Sequence, residues 1–361
     1  MIFHEKIILT GKSHWYNPSM PNLIKSNALT FDDVLLVPQY SEIASRKEVD
    51  LSTKLFDVPF PTPICSANMD TVTESLMAQK MFNLGGLGIL HRYATPETIL
   101  TWIKEIHTAE GLAVPSIGVK PEDFATAMRY VEEGVLAINV DIAHGDSGHM
   151  IMMVNKLAKA GVNVIAGNVA TKEGACRLAN AGAKVIKVGI GPGSLCTTRI
   201  ITGHGVPQLS AIEDCATVKN FFPDVTIIAD GGIRNSGDCV KALAFGADMV
   251  MVGSLLAGTE ESPGQQVQLE NGLFKAYRGM ASRDARNSVT QTDSSYTPEG
   301  ESTYVKFQGP VTHVIQQLVG GMRSGLSYSG VSNIKDLQRY AQYVTITGNG
   351  MAESKPHLLT R

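Results

Sequence analysis

Eight short apolar runs recur between residues 60 and 256. They are PTPICSANMD (61–70), LGGLGILHRY (84–93), PSIGV (115–119), VLAINVDIAHG (135–145), NVIAGNVAT (163–171), KVIKVGIGPG (184–193), VTIIADGG (225–232) and DMVMVGSLL (248–256). They lack strict polar–apolar alternation, which is how strands covered on both faces read. Between most of them lie segments with apolar residues at helical spacing: VTESLMAQKMFNL, TPETILTWIKEIHTAE, PEDFATAMRYVEEG, SGHMIMMVNKLAKAG, TKEGACRLANAGA and NSGDCVKALAFGA. Several end in Gly or Gly-Ala, a C-cap signal. Two open with Thr at the cap position and an acidic residue in the first turn. Eight strands alternating with helices predict an α/β fold, the (β/α)8 or TIM barrel. The runner-up, a doubly wound open sheet, usually carries GxGxxG after its first strand, and that motif is absent here.

Two connections break the rhythm. GPGSLCTTRIITGHGVPQLS (191–210) follows the sixth strand, and a segment of residues 258–310 follows the eighth, polar over 281–303. In a barrel both fall on the C-terminal face, where active sites are built. VTHVIQQLVGGMRSGLSYSG and NIKDLQRYAQYV then read as two further helices. The expected organisation is one barrel domain over 1–361, with an N-terminal extension (1–28), a flap (258–310) and C-terminal helices and tail (311–361).

Composition narrows the function classes. At 43% hydrophobic and 18% charged residues, the chain carries enough apolar material for a large core and is not a disordered sequence. A net charge of −3 offers no basic field, so a nucleic-acid partner is not expected. No apolar stretch reaches membrane-spanning length, and the N-terminus lacks a secretory signal pattern. Five cysteines, an odd number without a CxxC pair, argue against a disulfide framework or zinc site and for a reduced, cytoplasmic setting.

Cys196 differs from the other four. Cys65 sits in a strand, and Cys176, Cys215 and Cys239 fall on helices, where a cysteine is a small buried hydrophobe. Cys196 lies on a glycine-rich loop whose Gly191 and Gly193 allow carbonyls or amides to turn inward, toward a cation or an anion. It is a candidate nucleophile, with Thr197 and Thr198 supplying hydroxyls for proton relay, or an incidental residue in a turn. ADGGIRNSGD (229–238) and VGSLLAG (252–258) follow strands seven and eight, the pair of loops that often holds a phosphate, with Asp230 placed to accept ribose hydroxyls. Asp141 and His144 follow the fourth strand. With no third ligand nearby they suit ligand contact better than a metal. His91 is ambiguous, and Glu299 by itself reads as a solvated carboxylate.

The residues from LTFDDVLLVP (29–38) onward resemble the IMP dehydrogenase/GMP reductase family. SANMDTVTE, GNVAT, KVGIGPGSLCTTR, GVPQLSAI, IADGGIRNSGD, VGSLLAG, YRGM and GGMRSG all match it in order. The resemblance implies a purine nucleotide substrate, GMP or IMP, attacked at C2 by Cys196, with Thr198 and Glu299 relaying protons. It implies that Ser66, Met69, Ser194, Asp230, Gly231, Gly232, Gly253, Ser254, Tyr277, Gly279 and Met280 hold the nucleotide. Asp141, Ala143, His144, Gly145 and Asn168 would border a nicotinamide cofactor, NADPH/NADP or NAD. Carbonyls of Gly191, Gly193 and Cys196 would form a potassium (K+) site, and the chain would assemble as a homotetramer. About 22 residues separate HRY from the third strand, too few for the regulatory CBS modules common in IMP dehydrogenases.

The resemblance leaves the reaction divided. IMP dehydrogenases carry an adjacent Arg-Tyr pair in the flap that activates water. Here Arg286 and Tyr296 lie ten apart, which favours GMP reductase, as do KVGIGPGSLCTTR with TGHGVPQLSAI, and Asn68 within SANMD. GSLLAGTEE, GGIRNSGD, GGMRSG and the TGNGMAESKPH tail instead resemble IMP dehydrogenase, the alternative reading. A non-catalytic nucleotide sensor is the minor alternative, disfavoured by the joint presence of Cys196, Thr198 and Glu299.

Overall fold

The structure, a computed structural model, describes residues 24–25, 27–283, 285 and 297–354. The eight apolar runs form eight strands: β1 (Ile64–Ser66), β2 (Leu87–Gly88), β3 (Ser116–Ile117), β4 (Ile138–Asp141), β5 (Val164–Val169), β6 (Val185–Val188), β7 (Thr226–Asp230) and β8 (Met249–Val252). They pair in parallel in the order β2-β1-β8-β7-β6-β5-β4-β3. The ring closes between β2 and β3 through a parallel bridge of Leu90 to Pro115, reinforced by the Leu90 N–H donating to the Val114 carbonyl at 2.9 Å. All four residues of β6 and of β8 are buried, which is why these strands carry no alternation.

Helices α1 (Ser75–Asn83), α2 (Pro96–Thr108), α3 (Pro121–Glu132), α4 (Gly148–Lys159), α5 (Lys172–Ala181), α6 (Gln208–Ala216) and α7 (Ser236–Ala244) surround the sheet. The cap signals act as their chemistry dictates. Thr95 accepts the Thr98 N–H and Thr171 the Gly174 N–H, each at 3.2 Å, and α5 ends on Gly182 in the left-handed region. The first C-terminal helix, α8 (Val311–Tyr328), is the barrel's eighth helix. It lies so close to α7 that a Cβ on Gly325 or Gly321 would strike Val240 or Ser236. Between Tyr93 and β3 the structure has only α2 and its connections, with no inserted module.

Three elements depart from the sequence reading. The connection after β6 is not loop to its end, because α6 begins at Gln208. Segment 258–310 contains an antiparallel sheet, β9 (Gln266–Leu269), β10 (Gly272–Arg278) and β11 (Ser302–Lys306), from which the flap springs. The last helix, α9 (Ile334–Tyr340), is shorter than the NIKDLQRYAQYV pattern suggested. Tyr343–Thr345, aromatic and β-branched, is extended and pairs antiparallel with Val34–Leu36. The N-terminal extension 1–28, the flap residues Arg286 and Tyr296, and the tail from residue 355 lie wholly or mostly outside the described residues. Among the described residues no helix is long and apolar enough to cross a membrane.

Candidate active site

A cavity of about 720 Å³ opens at the C-terminal ends of the barrel strands. That volume is within the roughly 300–1,000 Å³ typical of small-ligand sites. Its floor is polar. Lys187, in the middle of β6, is 1% exposed and bonds the Asp141 carboxylate at the end of β4. It also donates to Asn68 Oδ1 at 3.2 Å and stands 3.7 Å from Asp230 Oδ2 at the end of β7. Asn168 donates to the same Asp230 oxygen and to the Gly189 carbonyl, both at 2.8 Å. Gln208, from α6, donates to the carbonyls of Val188 and Asp230 at 2.8 and 3.1 Å. Burial pushes Lys187 down, but the two carboxylates outweigh it and hold the ammonium above its ordinary value. Burial pushes the Asp230 carboxyl up, against the opposing pull of Lys187 and Asn168.

Cys196 projects from the loop after β6. Its thiol donates to Thr198 Oγ1 at 3.2 Å, and the Thr198 hydroxyl donates to Glu299 Oε2 at 2.8 Å. Glu299 reaches this position because the returning flap strand is bonded to the cysteine loop along its backbone. The Thr197 N–H donates to the Glu299 carbonyl and the Glu301 N–H to the Leu195 carbonyl, each at 3.0 Å. The result is an unbroken line of donors from a thiol that faces the cavity to a carboxylate.

The same cavity carries nucleotide-binding candidates. Ser194 Oγ and the Tyr277 hydroxyl lie 3.2 Å apart, and Tyr277 donates to Met69 Sδ at 3.8 Å. Burial pushes the Tyr277 phenol up, so it stays a donor at neutral pH. Gly231 and Gly232, which line the cavity, turn with φ of +97° and +84°; a Cβ on Gly231 would strike Pro192 at 2.9 Å, and one on Gly232 would press on Phe31 at 3.3 Å. Arg278 Nε donates to Asp70 Oδ2 at 2.9 Å and anchors Gly279 and Met280 over the opening.

Of the residues singled out from the sequence, Met69, Asp141, Ala143, Asn168, Gly191, Gly193, Ser194, Cys196, Thr198, Asp230, Gly231, Gly232, Gly253, Ser254, Tyr277, Gly279, Met280 and Glu299 line this one cavity. Ser66 does not. It is fully buried behind the wall, accepting the Thr73 hydroxyl at 2.8 Å. His144 and Gly145 also lie outside the lining, and the Gly145 N–H is spent on the Asn168 carbonyl at 2.7 Å. Lys187, Gln208, Arg92 and Lys120 were not singled out. Lys187 had a legible signal, a cation inside an otherwise apolar strand.

The IMP dehydrogenase / GMP reductase domain profile matches residues 28–357. The chain belongs to this family. It is 40% identical to the inosine-5'-monophosphate dehydrogenase of Cryptosporidium parvum, over 91% of this chain and 94% of that protein. It is 38% identical to the enzyme of that name from Borreliella burgdorferi (94% and 98%), and 34% identical to that from Nitrosopumilus maritimus (91% and 98%). The last alignment runs 466 positions against a 361-residue chain, so that relative carries over a hundred positions without counterpart here.

Proposed function

We propose that this chain oxidises a purine 5'-nucleotide through a covalent adduct between Cys196 and purine C2, in the IMP dehydrogenase direction: IMP, NAD and water to XMP and NADH. The thiol–hydroxyl–carboxylate line of Cys196, Thr198 and Glu299 carries the proposal. The direction is supported by the relatives named inosine-5'-monophosphate dehydrogenase, which share 34–40% of residues over nine-tenths of the chain.

Asp230 offers its free oxygen to a ribose diol. The backbone amides of Gly231, Gly232, Gly253 and Ser254 suit a phosphate, and Met69 offers a flat sulfur contact for the base. Cys196 Sγ bonds to C2 as the C2=N3 π pair shifts onto N3, from where it re-forms the double bond when hydride leaves, while the thiol proton moves to Thr198 and the Thr198 proton to Glu299. C2 becomes tetrahedral and its hydrogen departs with the bonding pair. A nicotinamide bound beside Asp141, Ala143 and Asn168 would supply the hydride acceptor. Water then adds across C2=N3 of the resulting thioimidate, its oxygen to C2 and one proton to N3; the C–S bond breaks as the C2 hydroxyl loses its proton to solvent and becomes the carbonyl, and Glu299 returns the stored proton to the thiolate through Thr198. NAD or NADP fits here: Asp141, Ala143 and Asn168 line the same cavity as Cys196, and the buried Asn168 Oδ1 has no hydrogen-bond partner among the described residues. Potassium fits less well within one chain. The Gly193 carbonyl already accepts the Cys196 N–H at 3.1 Å, and the Arg199 side chain packs over Gly191. No step is routed through it.

GMP reductase is the second reading, carried by the separation of Arg286 from Tyr296 in the flap. The same adduct would then form with loss of ammonia from GMP and take hydride from NADPH. Paired assays decide. IMP with NAD should raise absorbance at the nicotinamide band, and GMP with NADPH should not lower it. Turnover only in the second pair refutes the proposed direction. Turnover by Cys196→Ala in either refutes the adduct.

A further inference from the structure

The polar floor of the cavity contains a cation that no step above uses. Lys187 enters from β6, the strand that leads into the cysteine loop, and its ammonium is enclosed by groups from three other strands. Asp141 comes from β4, Asp230 from β7, and Asn68 follows β1. Asp141 and Asp230 are 20% and 22% exposed at the side chain, so each keeps an oxygen facing the cavity while Lys187 stays hidden behind them. In the proposed site the two carboxylates have different duties, Asp141 toward the cofactor and Asp230 toward the ribose. We infer that Lys187 is a positioning residue that joins these two subsites, so that occupation of one is felt at the other through a shared counter-ion.

The physical basis is competition for one buried charge. An ammonium has three donors, and here two carboxylates and one amide oxygen claim them. In a buried site a carboxylate without a counter-charge takes up a proton rather than remain ionised. The Lys187 pair with Asp141 is direct, whereas the approach to Asp230 is longer. A ligand hydroxyl that bonds Asp141 weakens its hold on Lys187 and releases the cation toward Asp230. A ligand on Asp230 acts in the reverse sense, and the coupling is reciprocal by thermodynamic necessity. The titratable groups facing Asp230 are Lys187, Asp141, the Cys65 thiol on β1 and the Tyr277 phenol on β10. A thiol and a phenol are neutral or anionic and never cationic, so neither replaces the ammonium as counter-charge.

This inference rests on the nucleotide site proposed above and is tested by binding rather than turnover. The probe is IMP without cofactor, titrated calorimetrically against wild type and Lys187→Gln, which keeps a donor but loses the charge. The IMP phosphate titrates identically in both, so it cancels in the ratio of dissociation constants. That ratio should be about threefold at pH about 8.5 and tenfold or more at pH about 6, because one unit of carboxylate shift is a tenfold change. A ratio that is constant with pH overturns the role, since a merely structural lysine predicts constancy. Asp141→Asn retains Lys187 and covers the case in which the glutamine variant does not fold. It should change the IMP dissociation constant by about threefold or more with no cofactor present, a coupling of ordinary allosteric size. An unchanged constant overturns the coupling. Failure of wild type to bind either IMP or GMP refutes the nucleotide site itself, and the coupling with it.

Discussion

Replacing Thr198 by Val isolates the proton path. Valine has the shape of threonine without the hydroxyl, so the helical turn Thr198–Thr202 keeps its backbone, including the Thr198 carbonyl that accepts the Thr202 hydroxyl at 2.8 Å. The change removes Oγ1, which accepts from Cys196 Sγ at 3.2 Å and donates to Glu299 Oε2 at 2.8 Å. The bond to the carboxylate is charge-assisted and worth about 1.5–3 kcal/mol. At 1.4 kcal/mol per factor of ten, its loss alone costs about 10–150-fold in the step that deprotonates the thiol. The overall loss in kcat should lie within the 10²–10⁴-fold range roughly expected when a relay is removed. KM for the nucleotide should change little, because Thr198 acts on the nucleophile rather than on the ribose or phosphate. Alkylation of Cys196 by iodoacetamide, followed by mass spectrometry without substrate, separates the chemistry from binding and should slow by at least about tenfold. Wild-type alkylation and turnover in Thr198→Val would refute the relay. A loss confined to KM would place Thr198 in binding instead.

The same alkylation should discriminate among the cysteines. Cys65, Cys215 and Cys239 are fully buried and their thiols are pushed up by that burial, so in the native protein they should resist modification while Cys196 reacts. Early labelling of any of the three contradicts the packing. Gly191→Ala places a Cβ at φ +87°, 2.5 Å from Arg199 Cγ. It should cost about 1–3 kcal/mol in urea unfolding and displace the cysteine loop, lowering kcat. Stability and rate equal to wild type would show that the loop has no such constraint. Asp146 is held below the usual carboxylate range, first by its hydrogen bonds to Arg177. A lowered native value stabilises the fold above the unfolded value and is lost as pH falls through the native one. Arg177 is half exposed, so Arg177→Met should cost less than about 1 kcal/mol at pH 7. The difference from wild type should shrink as pH drops below about 4, and a growing difference in thermal melts would reverse the sign.

The barrel was legible because its strands are covered on both faces and its helices carry ordinary caps. The runs from PTPICS to DMVMVG are long in apolar residues and short in length, and burial of every residue in β6 and β8 is the cause. Elements outside the βα rhythm were less legible. β9–β11 pair only with each other at the rim, so their residues carry no two-sided burial, and β9 is mostly exposed. Tyr343–Thr345 is exposed throughout and is defined by a partner more than 300 residues away. The chemistry divides in the same way. Thr198 stands two residues from Cys196 and could be proposed from the loop alone. Glu299 is 101 residues from Thr198, and no period or spacing connects them. Only the family resemblance nominated it, and the backbone bonds of the returning flap strand explain how it arrives.

Those bonds also fix where Glu299 sits whichever direction of purine chemistry is proposed. Glu299 is fixed on both sides: its carbonyl accepts from Thr197, and its N–H donates to the Ala281 carbonyl, each at 3.0 Å. Bridges from Gly300 to Cys196 and to Ser282 complete the fastening, where a Cβ on Gly300 would lie 3.2 Å from the Ser282 nitrogen. The proton acceptor therefore belongs mechanically to the cysteine loop, although it is encoded in the flap. In the mechanism proposed above, forming and breaking the C2–S bond uses this relay whichever group leaves C2, because both routes would start from the same thiol. Water activation is needed in only one direction, and the adjacent Arg-Tyr pair that the family resemblance links to it is not found here, Arg286 and Tyr296 lying ten apart. In the proposed mechanism the covalent chemistry therefore draws on two segments, the cysteine loop for Cys196 and Thr198 and the returning flap for Glu299, fastened together by the Cys196–Gly300 bridge.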